Sequence, residues 1–341
     1  MVGNLIKAPL VAVLYASLLR FIAGFLPFSA FYQEMMGELA LEQGWLNHLW
    51  LVGYCLFVCV IAAIAFSVLD KVGLGAFLHL LPIFLGVQWI VPMLEPFLFG
   101  EVSGVMEQWD IVLRFIQCAA ATIVMLLLSM LLYTGKQPPE KPKTAEPEDE
   151  AADPKAKKKK KAANGAKQRL NIVRLLLLWM LALPGAFFFL YFVGGYFLGW
   201  RNEAVRAYYD GGADAGLVYM LVSMLLDDIR YAGMALIKGL LLAGFSLLLM
   251  MRLPGKRLLF LFLNVMLYLS QALLYLIPTP TMAWAVRLPH LIAAGAVLAA
   301  YGALSAFLLP MGYYDGERET PAQEKAGLED PKAKKIPPGA K

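Results

Sequence analysis

The sequence has little charge and few residue patterns typical of enzymes. Only 16% of its 341 residues are charged, whereas 60% are apolar, and the mean hydropathy is +0.64. These values exclude an ordinary soluble domain and indicate an integral membrane protein. The motifs HExxH, GxSxG, Walker A and a well-placed GxGxxG are all missing. We therefore assign no catalytic residue and regard enzyme activity as the less favoured interpretation.

Residues that hold metals or cofactors are also scarce. The chain contains Cys55, Cys59, Cys118, His48, His79 and His290. The cysteines form no CxxC pair and lie in apolar stretches, so we interpret them as small buried hydrophobes. The histidines fall at different predicted depths, which does not suit haem or zinc. We therefore expect no metal site and no cofactor.

Long uncharged stretches predict eight membrane-spanning helices and an all-α polytopic fold. The predicted spans are 9–32, 49–69, 74–98, 111–134, 171–199, 229–251, 258–278 and 286–310. Eight spans place Lys7, the 135–170 segment, Arg257 and the tail after 311 on one side, which the positive-inside rule assigns to the cytoplasm. We expect a bacterial inner (cytoplasmic) membrane, with both termini and the central segment inside.

The central segment divides the chain into two sets of four spans. Residues 135–170 are rich in Lys, Pro and Glu and have almost no large apolar residues, so we expect a disordered cytoplasmic linker. The expected domains are a first half (1–134), the linker, a second half (171–311) and a disordered basic tail (312–341). The lysine run 157–161 favours either a solvated topogenic signal or contact with anionic membrane lipid. No nucleic-acid partner is expected.

The two halves show weak internal similarity. Residues 74–88 align with 257–271, which matches Gln88 to Gln271, and residues 113–124 align with 286–297, which matches Arg114 to Arg287. Four spans per half give both halves the same orientation. The alignment therefore predicts a parallel 4+4 pseudo-repeat about an axis along the membrane normal.

Polar residues inside the spans are the candidates for a site. Counting about 1.5 Å per helical residue places Arg20 and Lys238 near the membrane midplane, with no acidic residue at the same depth. Gln88 and Gln271 are predicted to lie deep in matched spans. We take these four residues as a hypothetical ligand-binding set between the halves.

Other candidates are predicted at the outer boundary. Arg114 and Arg287 suit structural anchoring to headgroups, or pairing with Asp110 and Glu95. Asp227 and Asp228 suit a helix cap or a boundary anchor. Loops 33–48 and 200–228 carry amphipathic segments that form either ordinary surface helices or a roof over a cavity.

Three functions remain open at this point. The first is a transporter or flippase, not driven by ATP, for an anionic small molecule or lipid. The second is a non-catalytic subunit or scaffold of a membrane complex, in which a protein partner or a second copy of the chain supplies acids for the cations. The third is a lipid-modifying enzyme, suggested only by the outer loop and the adjacent aspartates 227 and 228.

Overall fold

A computed structural model gives the architecture of residues 1–69, 72–103, 107–133, 173–208, 216–227, 229–253, 256–277 and 282–309. Within these ranges the regular elements are all helices. The predicted linker (135–170), the tail (312–341) and Asp228 lie outside them.

Eight helices of the described chain are long and apolar enough to cross a membrane, as the sequence predicted. Spans 1 to 8 are Val2–Ala23, Gly44–Val68, Leu74–Leu98, Gln108–Leu132, Val173–Trp200, Ile229–Met250, Arg257–Leu276 and Trp284–Leu308. Successive spans run in opposite directions. Spans 1, 3, 5 and 7 end on the same side. We call it the outer side, because the distribution of charges predicts that the opposite side is cytoplasmic.

The helices as they occur include several breaks within the spans. They are α1 Val2–Ala23, α2 Ala30–Val68, α3 Leu74–Leu85, α4 Val91–Ser103, α5 Gln108–Leu132, α6 at 173–177, α7 Leu183–Gly194, α8 Glu203–Tyr208, α9 Leu217–Asp227, α10 Ile229–Met250, α11 Arg257–Ala272 and α12 Trp284–Leu308. Three π-helical turns, Gly86–Ile90, Leu178–Ala182 and Gly195–Trp200, lie inside spans 3 and 5.

The predicted position of span 1 is wrong, because the helix begins about two turns and ends about two and a half turns earlier than predicted. The helix begins at Val2 and ends at Ala23, followed by Gly24 and then Pro27. The apolar run continues beyond the helix, so hydropathy alone placed the end too late. Arg20 consequently lies in the last turn of α1 and not near the midplane.

The outer segment after span 1 is helical and is joined to span 2 through a kink. Ser29 caps α2 by accepting a hydrogen bond from the Tyr32 backbone N–H at 3.2 Å. Gly44, with φ +47°, breaks the helix where the outer segment meets span 2. The expectation that loop 33–48 carries a helical segment is therefore confirmed.

Proline explains the position of the break in span 3. Pro92 has no N–H to give to the carbonyl one turn earlier, and the π-helical turn Gly86–Ile90 immediately precedes it. A π turn also precedes Pro184 in span 5. These turns change the direction of the side chains that follow them.

Both halves pack their spans in the same order. In each half the first span packs against the second and the fourth, and the third packs against the fourth. Between the halves, span 3 contacts spans 6 and 7, and span 2 contacts span 7. Gly86 is required at one of these contacts, because a Cβ there would lie 1.8 Å from the Phe245 ring.

Candidate ligand-binding cavity

A cavity of about 470 Å³ lies between the outer part of span 3 and the four spans of the second half. Pro92 and Glu95 contribute its wall from the first half. Val205 of α8 and Met220 of α9 close it at the outer side. This volume is typical of a small-molecule site.

An ion pair joins the two halves inside this cavity. The Lys238 Nζ donates to Glu95 Oε2 at 2.8 Å. The Lys238 side chain is 8% exposed, whereas Glu95 leaves 36% of its side chain accessible, and both line the cavity. Lys238 is also 5.7 Å from the centroid of the Tyr191 ring, which favours a cation at that position.

The prediction that Lys238 has no acidic residue at its depth is wrong. Glu95 lies three residues before Leu98, where span 3 ends. The long lysine side chain spans the difference in depth between the two helix positions. Counting residues along the helices compared backbone positions only and therefore missed the reach of the side chain.

Other polar groups converge on the same end of the cavity. Gln271 is 8% exposed, and no described residue forms a hydrogen bond with its Nε2. His290 donates from Nδ1 to the Val286 carbonyl at 2.8 Å, and its ring lies 5.5 Å from that of Tyr275. Gln271, Tyr275 and His290 all line the cavity. They could hydrogen-bond a ligand held at Lys238.

The rest of the cavity wall is mainly aromatic. Phe187, Tyr191, Phe192, Tyr196 and Trp200 come from span 5. The π-helical turn Gly195–Trp200 brings both Tyr196 and Trp200 to this wall, together with two glycines that leave space. The cavity is therefore amphipathic, with charge at one end and rings along its length.

Only two of the four residues predicted for a ligand site meet here. Lys238 and Gln271 line the cavity, whereas Arg20 and Gln88 do not. Arg20 is exposed near the outer end of α1. Gln88 is completely buried in the π turn of span 3, and within the described ranges neither its Oε1 nor its Nε2 has a hydrogen-bond partner.

Arg114 has a local partner in place of the suggested carboxylates. Its Nη1 donates to Gln117 Oε1 at 2.8 Å, and Gln117 in turn donates to the Leu19 carbonyl. Asp110 accepts hydrogen bonds from the backbone N–H and the hydroxyl of Ser29, at 2.8 and 2.5 Å. The suggested pairing of Arg114 with Asp110 or Glu95 is therefore wrong, because these acids bind elsewhere.

Arg287 is buried and does not reach headgroups by extending outward. It is 5% exposed, and its guanidinium carbon lies 5.2 Å from the centroid of the Trp284 ring. Its Nε and Nη1 have no hydrogen-bond partner in the part of the chain that the structure describes. The side chain of Asp227 and all of Asp228 lie outside the described residues.

Buried polar groups away from the cavity join neighbouring spans. Asn264 and Ser246 hydrogen-bond each other at 3.0 Å, and Asn264 also donates to Ser305 at 2.8 Å. In the first half, Tyr15 and Trp89 both hydrogen-bond the Thr122 hydroxyl. Such contacts hold spans together in an apolar medium.

Among the described residues, no three His, Cys, Asp or Glu side chains lie close enough to hold a metal ion. The cavity residues that sequence reasoning missed are Glu95, Tyr275, His290 and the aromatic residues of span 5. A usable signal existed for Glu95, because a glutamate between Pro92 and Pro96 in an apolar span is rare.

Comparison with protein-family models, with curated proteins and with solved structures found no match to this chain. The proposed function therefore rests on the cavity alone.

Proposed function

We propose that this protein is a membrane transporter or flippase, not driven by ATP, for an anionic small molecule or lipid that binds beside Lys238. The observation that carries the proposal is the Lys238–Glu95 pair, which faces an amphipathic cavity and joins the two halves. Ionisable residues at such depth are expensive to bury and are usually functional.

The chemistry of the cavity favours an anionic group. Lys238 is a buried cation in the cavity wall, and its ammonium group already forms an ion pair with Glu95 at 2.8 Å. A carboxylate or phosphate on a ligand would replace Glu95 at the ammonium group. Gln271 and Tyr275 would supply neutral hydrogen bonds to the same ligand. Glu95 is thus a competitor that the ligand must displace.

Relative movement of the two halves would give transport. Both halves pack their spans in the same order, and across the interface span 3 contacts spans 6 and 7 while span 2 contacts span 7. These contacts support the proposed parallel 4+4 repeat. Lys238 and Glu95 belong to different halves, so displacement of Glu95 removes a bond across the interface. Transporters built from repeats place their substrates at such an interface.

The positions of the cations support the proposed orientation of the protein in the membrane. Lys7, Lys256 and Arg257 donate to the carbonyls of Leu132, Val68 and Phe307, at the ends of spans 4, 2 and 8. Cations therefore gather on one side of the bundle, which favours the cytoplasmic assignment for that side. Binding of anionic lipid by the lysine run 157–161 stays a prediction outside the described residues.

One observation favours the alternative function, a non-catalytic subunit or scaffold. Arg20 is exposed beside the exposed rings of Phe21 and Phe25, and the described residues give it no hydrogen-bond or ion-pair partner. An acid from another subunit would suit this position, although lipid headgroups at the outer boundary also suit it. A co-purifying protein lost in Arg20→Ala, with Lys238→Gln unchanged, would support the scaffold.

Thermal unfolding in detergent tests the proposed binding. Ligands that bind the folded state raise Tm. We expect inorganic phosphate or phosphatidylglycerol to raise the Tm of the wild type, and phosphatidylcholine to have a smaller effect. Lys238→Gln should lose the shift, whereas Glu95→Gln should show a larger shift at low ligand because the competing carboxylate is gone.

The Glu95→Gln variant is the critical one. If the ion pair were only structural, Lys238→Gln and Glu95→Gln would both lose the Tm shift. Equal shifts in the wild type and Lys238→Gln, for every anion, would contradict the proposed site.

A further inference from the structure

The helix α9 lies at the outer side but is too short to cross the membrane. It has 11 residues, Leu217–Asp227, and extends about 16 Å, whereas a bilayer core is about 30 Å thick. Span 5 ends before it at Trp200, and span 6 begins after it at Ile229.

One face of α9 closes the cavity. Met220 is 7% exposed and lines the cavity. It packs with Phe192, Tyr196 and Ala235 in a small cluster that is separate from the main core of the protein. Few buried side chains therefore hold α9 in place, and segments attached in this way open at lower free energy than the core.

The opposite face of α9 is apolar and uncovered. Val218, Tyr219, Val222, Leu225 and Leu226 are 74%, 70%, 45%, 38% and 79% exposed. A continuous apolar face of this kind requires a cover. Phe197 of span 5 and Ile229 of span 6 continue it on either side, and both are exposed. The hydrocarbon that surrounds spans 5 and 6 in a bilayer would cover this face as well.

The cavity beneath α9 has the distribution of polarity that a lipid requires. Lys238 and Glu95 form its charged end. Aromatic side chains connect this end with Met220, because Lys238 lies 5.7 Å from the Tyr191 ring centroid and Tyr191 packs against the cluster that contains Met220. A small soluble anion would use only the charged end. A lipid would place its headgroup at Lys238 and the first part of its chains along the rings.

We propose that α9 is a lid embedded in the outer leaflet, and that the ligand is a membrane lipid with an anionic headgroup that enters the cavity sideways beneath it. This inference rests on the proposed function and narrows its substrate to lipid. When α9 moves, it loses its contact with Tyr196 and gains contact with the acyl chains of the lipid that enters the cavity.

Photo-crosslinking of the full-length protein in vesicles tests this inference. The vesicles contain phosphatidylcholine with a small fraction of a lipid that carries a diazirine in one acyl chain, either phosphatidylglycerol or phosphatidylcholine. Mass spectrometry of peptides then maps the labelled residues. We expect both probes to label Val218 and Val222, and the phosphatidylglycerol probe alone to label Met220 and Tyr231.

Two variants identify what holds the lipid. Lys238→Gln should lose the labelling of Met220 by phosphatidylglycerol and retain that of Val218. Gly195→Phe should lose it as well, because a Cβ at Gly195 meets no atom within 4 Å and the added ring would fill the cavity. Gly185→Phe in the same span is the matched control, since Gly185 is exposed outside the cavity.

Each remaining outcome overturns part of the inference. Absence of label on Val218 and Val222 would show that α9 is not in the bilayer. Label on Val218 but not on Met220 would overturn lateral entry, while a Tm shift with inorganic phosphate would still support the proposed function. Equal labelling of Met220 by both lipids, unchanged in Lys238→Gln, would overturn the headgroup assignment.

Discussion

The Lys238–Glu95 pair permits a quantitative test of the interface between the halves. Removing one partner from a fully buried pair costs about 3–5 kcal/mol, whereas exposed pairs contribute about 0–1 kcal/mol. Here the lysine side chain is 8% exposed and the glutamate side chain 36%. We therefore expect Lys238→Met or Glu95→Gln each to lower the free energy of unfolding by about 2 kcal/mol.

The double variant isolates the interaction. With both charges removed, no unpaired charge stays buried, so we expect a loss of about 1–2 kcal/mol in place of the roughly 4 kcal/mol that independent effects would give. Reversible unfolding in mixed micelles by titration with a denaturing detergent measures all four proteins. Arg20→Met is a control, because Arg20 is exposed and should change stability by less than about 0.5 kcal/mol.

Additive losses in the double variant would refute this reasoning. They would mean that Lys238 and Glu95 stabilise the fold separately, and that the pair is not the contact that a ligand must break. If Arg20→Met lowered the free energy of unfolding as much as Lys238→Met does, the distinction between an exposed Arg20 and a buried, paired Lys238 would also be refuted.

Three further predictions concern the space around two glycines and the burial of the cysteines. Gly195→Phe should abolish the Tm shift with phosphatidylglycerol while Gly185→Phe leaves it unchanged, because only the first ring enters the cavity. Gly239→Ala should lower Tm and Gly233→Ala should not, since a Cβ at Gly239 would lie 2.9 Å from the Pro184 Cα whereas one at Gly233 meets nothing within 4 Å. A water-soluble maleimide should leave the folded protein unlabelled and label it after denaturation; rapid labelling of the folded state would contradict the burial of Cys55, Cys59 and Cys118.

The spans could be predicted from sequence because the energetics of the bilayer act on long stretches. About 20 apolar residues are needed to cross it, and the eight stretches are unambiguous. The end of span 1 could not be placed, because Gly24 and Pro27 stop the helix inside an apolar run. Hydropathy measures the free energy of transferring residues from water to lipid. It does not show at which residue the backbone stops being helical.

The candidate site was only partly predictable. Lys238 and Gln271 were found as polar residues in apolar spans, and both line the cavity. Glu95 was placed near the outer boundary and Lys238 deeper, and their pairing was missed because counting residues along the helices does not include the reach of the lysine side chain. The aromatic wall depends on the π turn near Tyr196, whose side-chain directions differ from those of a regular helix.

The central claim is that an anionic ligand binds at Lys238 in competition with Glu95. Native mass spectrometry of the gently solubilised protein tests it most directly, with the wild type beside Lys238→Gln and Glu95→Gln. The account predicts an anionic adduct on the wild type, its loss in Lys238→Gln, and its retention at higher occupancy in Glu95→Gln. An adduct that is unchanged in Lys238→Gln, or absent from all three proteins, would contradict it.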